Sequence, residues 1–148
     1  MIEDNEDDIE LTQAALSIGK IVNSLTVLRD GDDALRHLLG DGTPANPPCT
    51  APSLILLDLR LPKVDGIEVL KRIKQEPALR RIPVVVLTTS QRDEDLVQSY
   101  DLGANSFIRK PVLFETFYST MKTLELYWVL TNTPPPMGRI AGPTGNNG

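Results

Sequence analysis

Thiol, imidazole and indole are nearly absent from this chain of 148 residues, which has one Cys, one His and one Trp, with aromatic residues at only 5%. A lone Cys49 closes no internal disulfide and builds no thiolate metal cage. The single His37 excludes multi-histidine zinc sites and leaves any Ser-His-Asp triad one residue to be built on. Long apolar runs are missing too. The longest, Leu54 to Leu57 and Val84 to Leu87, fall far short of the roughly 20 residues that cross a bilayer. No basic-then-apolar leader opens the chain, so the sequence reads as cytoplasmic with no membrane association. Basic residues nowhere cluster over a helix length, and no nucleic-acid footprint is visible.

What is present is unevenly placed. The net charge is −5, from 15 Lys and Arg against 20 Asp and Glu. Glu3, Asp4, Glu6, Asp7, Asp8 and Glu10 crowd the first ten residues with no base among them, so the acidity is local to one end. Of the 22 Gly and Pro residues, 14 fall in 40–53 and 131–148. These stretches read as an extended loop and a flexible tail, leaving residues 1–130 as one domain. At 41% hydrophobic residues, that body can bury a core.

Leu25 to Leu28, Leu54 to Leu59 and Val84 to Leu87 are short, mostly apolar runs without clean alternation, the pattern of strands covered on both faces. Helical periodicity lies between them. Leu11, Ala14, Ala15 and Ile18 have one-face spacing, with Asn5 as N-cap and Gly19 as stop. Further helices are expected over 32–39, over 65–76 with Ile67, Leu70 and Ile73 inward, and from Arg92 to Gly103 behind a Ser90–Asp93 capping box. A strand over 106–110 and a helix over 113–128 follow. This alternation predicts an α/β fold, a doubly wound parallel sheet of five strands with helices on both faces. Only Met1, Ile2 and Glu3 precede the first helix, so the first strand is truncated.

In open α/β sheets, ligands bind beyond the carboxyl ends of the strands. Glu3 and Asp4 stand at the first such end, Asp58 at the third, Thr88 at the fourth and Lys110, followed by Pro111, at the fifth. Three carboxylates on one rim repel one another unless a cation sits among them. Oxygen-only ligands of high charge favour Mg²⁺, and a hydroxyl and a lysine beside it suit an incoming phosphoryl group. Glu6, Asp7 and Asp8 are read differently, as first-turn acids that complement the positive end of a helix.

Met-Ile-Glu-Asp-Asn at 1–5, Leu-Leu-Asp-Leu-Arg-Leu-Pro-Lys-Val-Asp-Gly at 56–66, Pro-Val-Val-Val-Leu-Thr-Thr at 83–89 and Gly-Ala-Asn-Ser-Phe-Ile-Arg-Lys-Pro at 103–111 resemble the four motifs of receiver domains in two-component response regulators. The resemblance covers residues 1 to about 128. It implies a flavodoxin-like (CheY-like) sheet of order 2-1-3-4-5 and a phosphoryl group accepted on Asp58 from a sensor histidine kinase. It further implies Mg²⁺ held by Asp4, Asp58 and the backbone carbonyl of Arg60, with Glu3 acting through metal-bound water. Lys110 would contact Asp58 and a phosphoryl oxygen, Thr88 another phosphoryl oxygen, and Phe107 would move inward behind Thr88 as the switch. The Lys110–Pro111 peptide would be cis. The long loop and the Tyr-Trp-containing last helix resemble single-domain regulators that partner bacterial and cyanobacterial phytochrome histidine kinases.

Bland readings compete at several positions. His37 and Cys49 read as structural or incidental, and Thr89 competes with Thr88 until the register from Pro83 favours the latter. Phe114, Phe117, Met121, Leu124 and Trp128 form one packing stripe. Tyr118, Leu126, Tyr127 and Leu130 are then left for a homodimer or kinase contact through the last helix, the homodimer using the surface of the fourth helix, fifth strand and fifth helix. The sequence past Trp128 leaves no room for an output domain, so signalling through protein contacts is expected. An aspartyl-nucleophile phosphatase of the haloacid dehalogenase type would want an aspartate where Arg60 stands. A receiver-like binding module that is not phosphorylated would be expected to lack Asp58 or Lys110.

Overall fold

The computed structural model describes residues 1–19, 25–89, 92, 98 and 100–126. Strands β1 (Ile55–Asp58), β2 (Val84–Thr88) and β3 (Ser106–Arg109) form a parallel sheet in that order. Helices α1 (Glu6–Ile18), α2 (Gly31–Leu39), α3 (Gly66–Gln75) and α4 (Phe114–Thr123) cover it. Every residue of β1 and β2 is buried, because each face of the sheet meets helices. Ile55, Leu57, Val84 and Val86 pack with Ala34, Leu35 and Leu38 of α2 and Val69, Leu70 and Ile73 of α3. Leu56, Val85, Leu87 and Ile108 pack with Ile9 and Ala15 of α1 and Phe117 and Met121 of α4. Alternate side chains along one strand therefore feed two cores.

The five expected strands are not all full strands among the described residues. The first two are each a single bridging residue, Ile2, paired in parallel with Leu28 on one side and Leu57 on the other. The Ile2 N–H donates to Leu56 O at 2.8 Å, and Ile2 O accepts from the Asp58 N–H at 2.9 Å. On the other side, the Glu3 N–H donates to Leu28 O and the Leu28 N–H to Met1 O, both at 2.9 Å. The spatial order Leu28, Ile2, β1, β2, β3 is the expected 2-1-3-4-5, with the first strand short as the sequence implies.

The buried face of α1 departs from the expected stripe. Leu11 and Ile18 are 41% and 64% exposed, and the inward residues are Ile9, Thr12 and Ala15. Thr12 tolerates burial because its Oγ1–H donates to Asp8 O at 2.8 Å, which satisfies the polar group within the helix. The ends of α1 match the expectation. Asn5 accepts from the Asp8 N–H, and the chain leaves at Gly19.

Asp30 and Asp65 cap α2 and α3 by accepting from the backbone N–H groups of Asp33 and Glu68. Most of the expected fourth helix, with Ser90 and Asp93, lies outside the described residues. Gln98, Tyr100 and Asp101 within it are helical, and the turn at Gly103 has φ 91°. The loop over 40–53 doubles back on α2, where the Cys49 N–H donates to His37 O at 2.9 Å. His37 and Cys49 are both half-buried.

Helix α4 stops at Thr123, short of the expected Trp128. Glu125 takes φ 58°, the Leu126 N–H donates to Met121 O at 2.8 Å and the Glu125 N–H to Lys122 O at 3.0 Å. These two bonds are a Schellman cap, formed at a position without glycine. Phe117 and Met121 are buried and Tyr118 is half-buried. Tyr127, Trp128 and Leu130 lie outside the described residues.

Candidate functional site

Strand register builds the rim. Asp58 is level with Leu87, so Thr88 projects one residue beyond it, and Thr88 is level with Arg109, so Lys110 projects one further. The Lys110 N–H donates to Thr88 O at 3.0 Å, which fixes the last step. Thr88 is buried and Thr89 is exposed, in agreement with the register argued from Pro83. The Lys110–Pro111 peptide is cis.

The strand ends bring Glu3, Asp58 and Lys110 into direct contact. Lys110, its side chain 7% exposed, places Nζ 2.6 Å from Glu3 Oε2 and 3.2 Å from Asp58 Oδ2. Asp58 Oδ1 accepts from the Arg60 N–H at 3.1 Å, so the two carboxylate oxygens have different partners. Glu3 is fully buried; Oε1 accepts from the Asn5 N–H at 3.1 Å, while Oε2 accepts no aligned hydrogen bond. Burial raises the Glu3 carboxyl from 4.5 to about 7, with the Lys110 ammonium opposing and Asp58 reinforcing the rise. Burial alone would lower the Lys110 ammonium, but contacts with Glu3 and Asp8 and the charge of Asp58 hold it above its ordinary value.

Asp4 stands exposed beside this cluster, and one carboxylate oxygen from each of Glu3, Asp4 and Asp58 lies within 4.8 Å of the others. Three acids, one with a buried oxygen lacking an aligned donor, fit a hard divalent cation. A second acidic group, Asp30, Asp32 and Asp33 at the start of α2, is satisfied differently. Asp30 caps the helix and pairs with Lys63 at 3.2 Å, and Asp32 pairs with Arg36 at 2.6 Å.

A cleft of ≈ 480 Å³ opens beside the acids, with Asp4, Arg60, Pro62, Asp65 and Arg92 among its lining. Arg60 thus contributes its amide to Asp58 and its exposed side chain to the mouth. Gly66 lets α3 start close against the end of β1, since a Cβ there would lie 2.2 Å from Asp58 O and 2.5 Å from Leu59 Cα. Phe107 sits apart from the acids. It is level with Val86, packs against the core on the α2 and α3 side, and meets the Tyr100 ring edge-on with centroids 4.2 Å apart.

One residue of the rim was read otherwise from sequence. Asp8, taken as a first-turn acid without a further role, accepts a hydrogen bond from Lys110 Nζ at 2.9 Å. Asp4 precedes the extended cap Asn5, so helical spacing gives no signal that sets Asp8 apart from Glu6 and Asp7 in the sequence. Glu6, from the same acidic group, pairs with Arg29.

Comparison with known proteins gives the family. The response regulator receiver domain matches residues 1–122. Response regulator Rcp1 of Synechocystis sp. is 43% identical over 135 residues, covering 91% of this chain and 90% of that protein. A solved manganese-bound form of Rcp1 is 41% identical with a TM-score of 0.70, over 93% of this chain and 96% of that one. The bacteriophytochrome response regulator RtBRR is 44% identical with a TM-score of 0.77, over 91% and 81%. The phosphorylated cyanobacterial phytochrome response regulator RcpA is 44% identical with a TM-score of 0.72, over 90% and 94%. Among the described residues no helix is long and apolar enough to cross a membrane. With its acidic rim at the carboxyl ends of a parallel sheet, the chain belongs to the response regulator receiver domains, the divalent-metal-binding signalling proteins that act with histidine kinases in two-component systems.

Proposed function

We propose that Asp58 is the phosphoryl acceptor of this regulator and that Thr88 and Lys110 stabilise the group it receives. The observation that carries this reading is the contact of Lys110 with Asp58 at the tip of β1, beside the acids Glu3 and Asp4. In the transfer, a carboxylate oxygen of Asp58 attacks phosphorus, the phosphorus–nitrogen bond of a kinase phosphohistidine breaks, and an acyl phosphate forms. Hydrolysis of that bond later returns the carboxylate.

The Arg60 N–H holds Asp58 Oδ1, which orients the carboxylate. Asp4, Asp58 and the Arg60 carbonyl would hold Mg²⁺, with Glu3 reached through water; the ion supplies charge neutralisation for an anion attacking an anion. Thr88 with Phe107 is the switch, biased by the new charge. Similarity to RtBRR and RcpA supports a phytochrome-type kinase as partner, and the site of action we assign is the cytoplasm. Tyr100, 57% exposed beside Phe107, supports the surface around β3 and α4 as a homodimer contact. Light scattering with and without a phosphoryl mimic checks this, and a monomer in both states removes it.

Incubation with acetyl phosphate and Mg²⁺ is expected to add one phosphoryl group to the parent protein and none to Asp58→Asn. Equal labelling of the variant, read by intact mass, would overturn the assignment.

A further inference from the structure

The resting position of Lys110 needs an account that the acceptor site alone does not supply. Its ammonium has three N–H donors and three carboxylates within reach, those of Glu3, Asp8 and Asp58. The contact with Asp8 is an aligned hydrogen bond of 2.9 Å, whereas Glu3 Oε2 accepts none. Glu3 and Asp58 are also two of the three acids grouped for a cation. Asp8 lies outside that trio, so its carboxylate stays available to the lysine when the other two face a metal.

The backbone of Asp8 is fixed from both directions. Its N–H donates to the capping Asn5 Oδ1 at 3.1 Å, and its carbonyl accepts from Thr12 Oγ1 at 2.8 Å. A side chain on so rigid a turn is a fixed anchor, while the four-carbon stem of a lysine is mobile unless its end is held. From that anchor, Nζ is already 3.2 Å from Asp58 Oδ2.

We propose that Asp8 is a positioning residue of the phosphoryl-transfer site: it holds the Lys110 ammonium beside the acceptor, so that the incoming group meets a preplaced cation. The proposal rests on Asp58 being the acceptor. It assigns Asp8 an action through Lys110 and no contact with the phosphoryl group.

The test follows the rate of phosphorylation by acetyl phosphate in Mg²⁺ for the parent, Asp8→Ala, Asp8→Asn, Lys110→Ala and the Asp8→Ala, Lys110→Ala double variant. Asp8→Ala is expected to react about tenfold more slowly, the loss of one charge-assisted hydrogen bond. Asp8→Asn keeps an acceptor oxygen and is expected to recover to within about threefold of the parent, since a neutral partner bonds less strongly. In the Lys110→Ala background, loss of Asp8 is expected to change nothing further. An Asp8→Ala rate equal to or faster than the parent's, or an equal slowing by Asp8→Ala with and without Lys110, would overturn the proposal. If Asp8→Ala fails to fold, Asp8→Ser, whose short hydroxyl cannot reach Lys110 Nζ, gives the same decision in the two Lys110 backgrounds. A parent protein that takes up no label, or an Asp58→Asn variant that does, indicts the acceptor assignment instead.

Discussion

Replacing Glu3 by Gln removes a charge that the fold buries at its own expense. The Glu3 carboxyl rises from 4.5 to about 7, chiefly through burial. Between those values the folded protein holds a proton that the unfolded chain has released. The associated stability is therefore fully present below about pH 4.5 and is lost as pH rises through about 7. The interval corresponds to about 3 kcal/mol at most, a large part of the 5–15 kcal/mol that typically holds a domain together. Urea unfolding of parent and Glu3→Gln proteins, in chelator, at about pH 5 and about pH 8 measures this. The stability of Glu3→Gln relative to the parent is expected to rise by about 3 kcal/mol over that range. Comparing the two proteins at each pH removes the titrating groups that do not interact with Glu3. Added Mg²⁺ is expected to restore the parent at the higher pH, by about 2.7 kcal/mol at a hundred times its dissociation constant. A difference that is flat with pH, or that moves the other way, would refute the account of Glu3 as an acid whose burial outweighs its contact with Lys110.

Two further substitutions probe backbone geometry. Gly66→Ala drives a Cβ into Asp58 O and Leu59 Cα, backbone atoms that cannot swing away. A loss of more than about 2 kcal/mol in chemical denaturation is expected, together with slower phosphorylation because β1 carries the acceptor. Glu125→Gly relieves the left-handed φ of 58° at the end of α4, and the melting temperature is expected to rise with a gain of about 1 kcal/mol.

The rim was legible in the sequence because charged or hydroxylic residues end apolar runs, and a parallel sheet gathers strand ends. Glu3, Asp4, Asp58, Thr88 and Lys110 follow from that rule with the short register steps between neighbouring strands. Rotational phase was harder to read. Thr12 reads as polar yet turns inward with its hydroxyl satisfied locally, so the apolar spacing of Leu11 and Ile18 indicates the wrong face of α1. The same phase decides that Asp8 meets Lys110, whereas Glu6 meets Arg29. The end of α4 was hidden for a different reason: its cap uses Glu125 in a conformation that sequence reading assigns to Gly or Asn.

The single rung at Ile2 orders events in time. The Leu28 segment and β1 are bridged through Ile2, whose bridge partners Leu28 and Leu57 follow it by 26 and 55 positions. Contacts of such separation pay their loop-closure entropy before they return any pairing energy. A chain emerging from the ribosome holds Glu3 and Asp4 long before residue 58 exists to receive them, and Lys110 comes later still. Glu3 and Asp4 therefore meet Asp58, and Glu3 meets Lys110, only when the sheet closes on the acidic end.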